Sequence, residues 1–141
     1  MKRILSLLCV GLMILLAGCT PQAITISDAW ARPGIQGGSS AVYFTIDNGT
    51  GSDDALTGVE TDAAERSEMH QSQMDANGTM SMLPQESVPL PAGEPVTFAP
   101  GGLHVMLTGL TRDLVPGDTV VLHLTFQTAE ALDLKATVRE P

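Results

Sequence analysis

Two of the three histidines, His70 and His104, share one stretch of chain with five of the seven methionines, Met69, Met74, Met80, Met82 and Met106. Thioether sulfur is a poor donor to hard cations such as calcium or magnesium, whereas Cu(I) accepts it readily and takes imidazole nitrogen as well. The pattern therefore points to a copper(I) site. A single methionine more often fills a gap in an apolar core. It is the confinement of these five to one window, interleaved with histidine, that argues for a ligand set.

Spacing sharpens the reading. In a strand, residues i and i+2 point to the same side, so His104 and Met106 would project a nitrogen and a sulfur together while Val105 and Leu107 face a core. A second pair of segments, Arg66 to Gln71 and Thr79 to Leu83, is joined by Asp75-Ala76-Asn77-Gly78, a plausible hairpin turn that would set His70 beside Met80 and Met82. Two donors from this hairpin and two from the His104 strand make an N2S2 set. The hairpin register cannot be read from the residues, so the choice between Met80 and Met82, and between Met69 and His70, stays open at this point. Both imidazoles must be neutral to bind an ion, so protons should compete with it on acidification while the thioether contribution persists.

The elements that must position these groups read as strands. After residue 20 no long apolar pattern recurs at helical spacing. Short alternating or β-branched runs appear instead, separated by Gly, Pro, Asn and Asp clusters, the pattern of an all-β sandwich or barrel. The expected strands are Ile24 to Ala31, Ala41 to Asp47, Ala55 to Glu60, Arg66 to Gln71, Thr79 to Leu83, Val96 to Phe98, His104 to Thr108, Thr119 to Gln127 and Leu132 to Val138. Residues 32–40, with one proline and three glycines, read as a flexible loop. His123 falls on the more polar face of its strand and is left out of the site. Trp30, Tyr43 and the phenylalanines read as core, and Arg112 and Asp113 as a solvated loop.

The amino terminus sets the compartment. Lys2 and Arg3 precede an apolar run from Ile4 to Leu16 that is too short for a comfortable membrane span, followed by Leu16-Ala17-Gly18-Cys19. This is the pattern of a signal peptide, residues 1–18. Leu-Ala-Gly-Cys resembles the bacterial lipobox, in which cleavage precedes a lipidated cysteine, so Cys19 is expected to anchor the mature chain through acyl groups. Residues 19–23 would form a short linker and 24–139 a single copper-binding domain. Cys9 leaves with the signal and Cys19 is consumed by lipid, so no thiol remains for a disulfide or a thiolate ligand. Thioethers cannot form disulfides, which suits copper handling in an oxidising compartment. Loss of Lys2 and Arg3 makes the formal charge of -9 two units more negative. That excludes a basic stripe for nucleic acid.

Several motifs together are similar to one known family. Asp28-Ala29-Trp30-Ala31-Arg32-Pro33, Ala41-Val42-Tyr43-Phe44-Thr45-Ile46-Asp47-Asn48, Glu68-Met69-His70, Met80-Ser81-Met82, Pro91-Ala92-Gly93 and Pro100-Gly101-Gly102-Leu103-His104-Val105-Met106-Leu107 resemble the periplasmic copper chaperone family PCu(A)C, over about Ile24 to Val138. The family pattern is a His, ten residues, a Met, twenty-one residues, then His-x-Met. Met82 is followed by twenty-one residues and His104-Val105-Met106, but eleven residues separate His70 from Met82. We attribute the difference to an extra residue in the Asp75 to Gly78 turn. Counting ten lands on Ser81, which is no copper ligand, so Met80 remains a substitute for Met82. The resemblance implies a cupredoxin-like Greek-key β-sandwich or barrel holding one Cu(I) through His70, Met82, His104 and Met106 at an exposed rim. Met69 and Met74 are expected nearby as spare donors. The resemblance further implies a non-enzymatic, monomeric periplasmic chaperone that delivers copper to a cuproprotein acceptor such as a cytochrome oxidase subunit, on the inner or outer membrane.

Three other readings compete. Zinc or iron on His70 and His104, with Glu68 as third ligand or base, would make an enzyme, but methionine suits neither metal. A metal-free β-sandwich lipoprotein serving as an interaction or assembly module would be indifferent to loss of His104 and Met106. A blue-copper electron carrier would need a cysteine thiolate.

Overall fold

Val120, Leu122, Leu124 and Phe126 are buried while the residues between them are exposed, the alternation of a strand with one face on a core. The computed structural model describes residues 23–141 and contains ten strands and no helix among them. In chain order they are β1 (Ile24–Ala31), β2 (Ser39–Asn48), β3 (Asp54–Glu60), β4 (Ala64–Met74), β5 (Met80–Pro84), β6 (Val88–Leu90), β7 (Pro95–Phe98), β8 (Leu103–Leu110), β9 (Thr119–Phe126) and β10 (Leu132–Val138). The all-β expectation holds. The signal peptide and the lipidated Cys19 expected from the sequence lie outside the described residues.

The strands form one hydrogen-bonded sheet in the order β5-β4-β8-β7-β2-β1-β10-β9-β3-β6, with β8 also pairing β2. The sheet curls until β3 meets β4, where the Ser67 hydroxyl donates to the Val59 carbonyl at 2.8 Å. The inner face carries a continuous apolar core that includes Val42, Phe44, Ile46, Leu56, Phe98, Val105, Leu107, Leu122, Leu124 and Phe126. Phe44 and Phe98 stack at its centre, ring centroids 4.4 Å apart.

The other face of the same strands bears the site. A register shift in β1 between Ser27 and Trp30, with Asp28 at a positive φ of 54°, adds one residue against β2 and sets Trp30 opposite Tyr43. The Trp30 and Tyr43 rings pack at a tilt of 38° with centroids 4.7 Å apart, and the Arg139 guanidinium covers the Trp30 ring at 4.7 Å. Phe44, Phe98 and Phe126 are core as expected, and Tyr43 is buried too, outside the main cluster, whereas Trp30 is only partly buried.

Other expectations change. β6 was not expected, because Val88, Pro89 and Leu90 sit among prolines. It forms nonetheless as an edge strand, where a missing N–H costs no ladder bond. Residues 32–40 are not a free loop. Ser39 and Ser40 belong to β2, Gly34 and Leu114 exchange backbone hydrogen bonds, and Gly37 donates to Leu110 at 2.8 Å. Gln36 N–H donates to the Asp113 carboxylate at 2.8 Å, so Asp113 is also engaged. Arg112 pairs with Asp118 at 2.9 Å on the surface.

Candidate metal centre

Three adjacent strands build the site. β4 and β8 run antiparallel in unbroken register, with His70 opposite His104, Glu68 opposite Met106 and Met69 opposite Val105. Directly opposed residues share a face. His70, His104, Glu68 and Met106 therefore project together, and Met69 projects the other way with Val105. Met69 is 4 % exposed and belongs to the core. As a spare copper donor it is corrected: the strand alternation that turns His70 outward turns Met69 inward.

The β4–β5 hairpin is as expected but longer on the β4 side, which continues to Met74. Asp75 makes the turn. Its carboxylate accepts from the Asn77 and Thr79 N–H groups, both at 2.8 Å, and Gly78 takes a positive φ of 80°. The register that follows pairs Ser72 with Met82 and Met74 with Met80. Met80 and Met82 thus both lie on the His70 face, Met82 one pleat nearer to His70. Ser81, opposite Gln73, points to the other side.

The donors differ sharply in exposure. His104 is 3 % exposed, whereas Met80 and Met82 are 55 % and 56 % exposed. Met106 is half-buried and the His70 side chain is largely covered. The expected open rim is thus half right. The thioethers of β5 stand at the surface, but the imidazoles lie beneath it; the Tyr43 ring is 6.5 Å from that of His104, and the Gly102 carbonyl of the Pro100-Gly101-Gly102 turn lies 3.1 Å from His104 Nδ1. A cleft of about 430 Å³ leads down between them. Met80, Met82, Ser72, Ala41, Tyr43, Arg32, His104 and Met106 are among the residues that line it, and His70 is not.

The two imidazoles have a specific electrostatic arrangement. Their ring centroids are 5.8 Å apart with planes at 70°. His104 Nδ1 lies 3.1 Å from the Gly102 carbonyl, which also accepts the Ser72 N–H at 3.1 Å. A carbonyl can only accept, so Nδ1 carries the proton, and in the neutral ring Nε2 holds the free lone pair. His70 Nε2 lies 3.4 Å from a Glu68 carboxylate oxygen, which favours the proton on Nε2 and the lone pair on Nδ1. Among the described residues, His70 Nδ1 and His104 Nε2 are the only buried side-chain nitrogen or oxygen atoms without a hydrogen-bond partner. A buried polar atom left unpaired costs free energy, and a bound cation would satisfy both lone pairs. The residues present fit a soft ion: two imidazole nitrogens and nearby thioethers.

The sequence reading passed over two contributors. Glu68, considered only as a zinc ligand or base, sits at i-2 from His70, so strand alternation alone puts it on the same face. The Gly102 carbonyl carries no side-chain signal. His123, left out of the site, is remote from it and pairs with Asp133 at 2.7 Å on the surface.

A family model described as "Putative lipoprotein LpqE-like" matches residues 24–138, nearly the whole described chain. The chain belongs to this family, a branch of the PCuAC proteins. A "Putative lipoprotein Lxx21020" of Leifsonia xyli subsp. xyli is 29 % identical over 125 residues, 87 % of this chain and 74 % of the relative. Among solved structures, a copper-bound PCuAC domain from PmoF2 superposes with a TM-score of 0.68 at 25 % identity, covering 84 % of this chain and 93 % of that one. The solution structure of CuI-DR1885 from Deinococcus radiodurans gives 0.58 at 28 % identity, covering 84 % and 81 %. The cupredoxin-like fold implied by the sequence motifs is therefore that of the PCuAC neighbours.

Proposed function

We propose that this chain is an extracytoplasmic Cu(I) carrier that holds one ion between His70 Nδ1, His104 Nε2 and the sulfurs of Met106 and Met82, and releases it to a cuproprotein. The observation that carries the reading is the pair of buried, unpartnered imidazole nitrogens, His104 lining a cleft with Met80, Met82 and Met106, and His70 directly opposite His104 across β4 and β8. Copper-bound and CuI-bound PCuAC structures of the same fold support it. Thioethers are weaker donors than thiolates, so a cysteine-bearing acceptor entering the cleft can take the ion without redox chemistry. The family resemblance implies a cytochrome oxidase copper centre as the destination. The lipobox-like Leu16-Ala17-Gly18-Cys19 and a relative named as a lipoprotein support a membrane anchor at Cys19.

The test is an anaerobic Cu(I) titration against a competing chelator. One tight equivalent is expected, lost most severely in His104→Ala. Absence of tight Cu(I) binding, or a preference for zinc, would refute the proposal.

A further inference from the structure

Two methionines, Met74 and Met80, remain beyond what one buried ion needs, and they lie beside Met82, which that ion uses. Met74 and Met80 are directly opposed across the hairpin, and Met82 is two residues from Met80 on the same face. Opposed strand residues have Cβ atoms about 5 Å apart, and methionine has three rotatable bonds, so three sulfurs can close on one point. All three are well exposed, Met74 at 66 %. Every residue of β5 is exposed, and β5 is one of the sheet's two edge strands, so core packing does not account for methionine here. Leu83, the other exposed apolar residue of the hairpin, lies on the opposite face with Gln71. The cluster is thus one-sided, and it continues into the cleft through Met80 and Met82.

From this geometry we infer that Met74, Met80 and Met82 form a second, outer Cu(I) site of thioethers alone, which loads the buried histidine pair. The inference rests on the reading that Cu(I) is the cargo. Three neutral sulfurs favour a monovalent soft ion over zinc, calcium or magnesium and carry no proton to be displaced. The outer site is weaker than the inner one because it lacks imidazole. Met82 belongs to both sets, so the ion can exchange Met74 and Met80 for His104, Met106 and His70 while one sulfur stays bound. The ion remains Cu(I) throughout, and only coordinate bonds are exchanged.

Two measurements test it. With His70→Ala/His104→Ala, Cu(I) titration should leave one weak equivalent with an all-sulfur absorption-edge signature, abolished by adding Met74→Leu/Met80→Leu. In the otherwise native protein, Met74→Leu/Met80→Leu should leave the tight equivalent's affinity unchanged but slow its loading from a Cu(I)–chelator complex by about tenfold. A double-histidine variant that folds yet binds no copper, or residual binding indifferent to Met74 and Met80, overturns the outer site and leaves the carrier reading standing. Unchanged loading kinetics also overturns it. Wild-type protein that binds no Cu(I) overturns both.

Discussion

His70 and His104 face each other across β4 and β8 with ring centroids 5.8 Å apart, and each keeps one buried nitrogen without a partner. The other nitrogen of each ring is held, by the Gly102 carbonyl for His104 and beside the Glu68 carboxylate for His70. Those outer contacts select the tautomers that leave both lone pairs available. The fold thus tolerates an unsatisfied pair in a place where a soft cation would satisfy it.

Glu68 should tune the site without binding the ion. Glu68→Leu removes the carboxylate beside His70 Nε2 and should lower Cu(I) affinity by about 10- to 100-fold, with Glu68→Gln milder. Chelator competition measures this, and circular dichroism checks that the fold is kept.

The hairpin register ranks the two β5 methionines. Met82 pairs with Ser72 and Met80 with Met74, so Met82→Leu should weaken the tight equivalent by about tenfold or more, roughly 1.4 kcal/mol, and Met80→Leu should hardly change it. The reverse order in the same titration would mean that the register is wrong.

Met69 should behave as a core residue. Met69→Ala should destabilise the fold by about 2–5 kcal/mol, and Met69→Leu by less than about 1.5 kcal/mol. Urea denaturation reads both. Copper stoichiometry should be unchanged in either variant while it is folded.

Asp54 should link stability to acid. Burial on its own would raise its pKa, but N–H groups of Ala55, Ala129 and Thr128 at 2.7, 2.8 and 3.0 Å pull it below the ordinary 3.8. A carboxylate whose pKa is lowered on folding adds stability above its unfolded value and loses it as pH falls through the folded value. Asp54→Asn should therefore lower stability at pH 7 and flatten its decline below about pH 4. Denaturation midpoints across that range check the sign.

Strand periodicity made much of this legible in the sequence. The pairing of His104 with Met106, the inward turn of Val105 and Leu107, and the His70 hairpin all follow from alternation and turn chemistry. Alternation assigns residues to two faces but does not say what covers each face, so the burial of His104 beside Tyr43 and the Pro100-Gly101-Gly102 turn was not visible. The choice among Met80, Met82, Met69 and His70 needed the register, which the Asp75 turn sets. Trp30 left the core because of a one-residue bulge at Asp28 that no periodicity announces. β6 was hidden by its prolines.

X-ray absorption at the copper edge of protein loaded anaerobically with one equivalent of Cu(I) tests the central claim most directly. The expected spectrum is that of Cu(I) with both imidazole nitrogen and thioether sulfur in its first shell, the imidazole scattering falling in His104→Ala and the sulfur scattering in Met106→Leu. A shell of nitrogen and oxygen alone, or a spectrum unchanged by both substitutions, would contradict it.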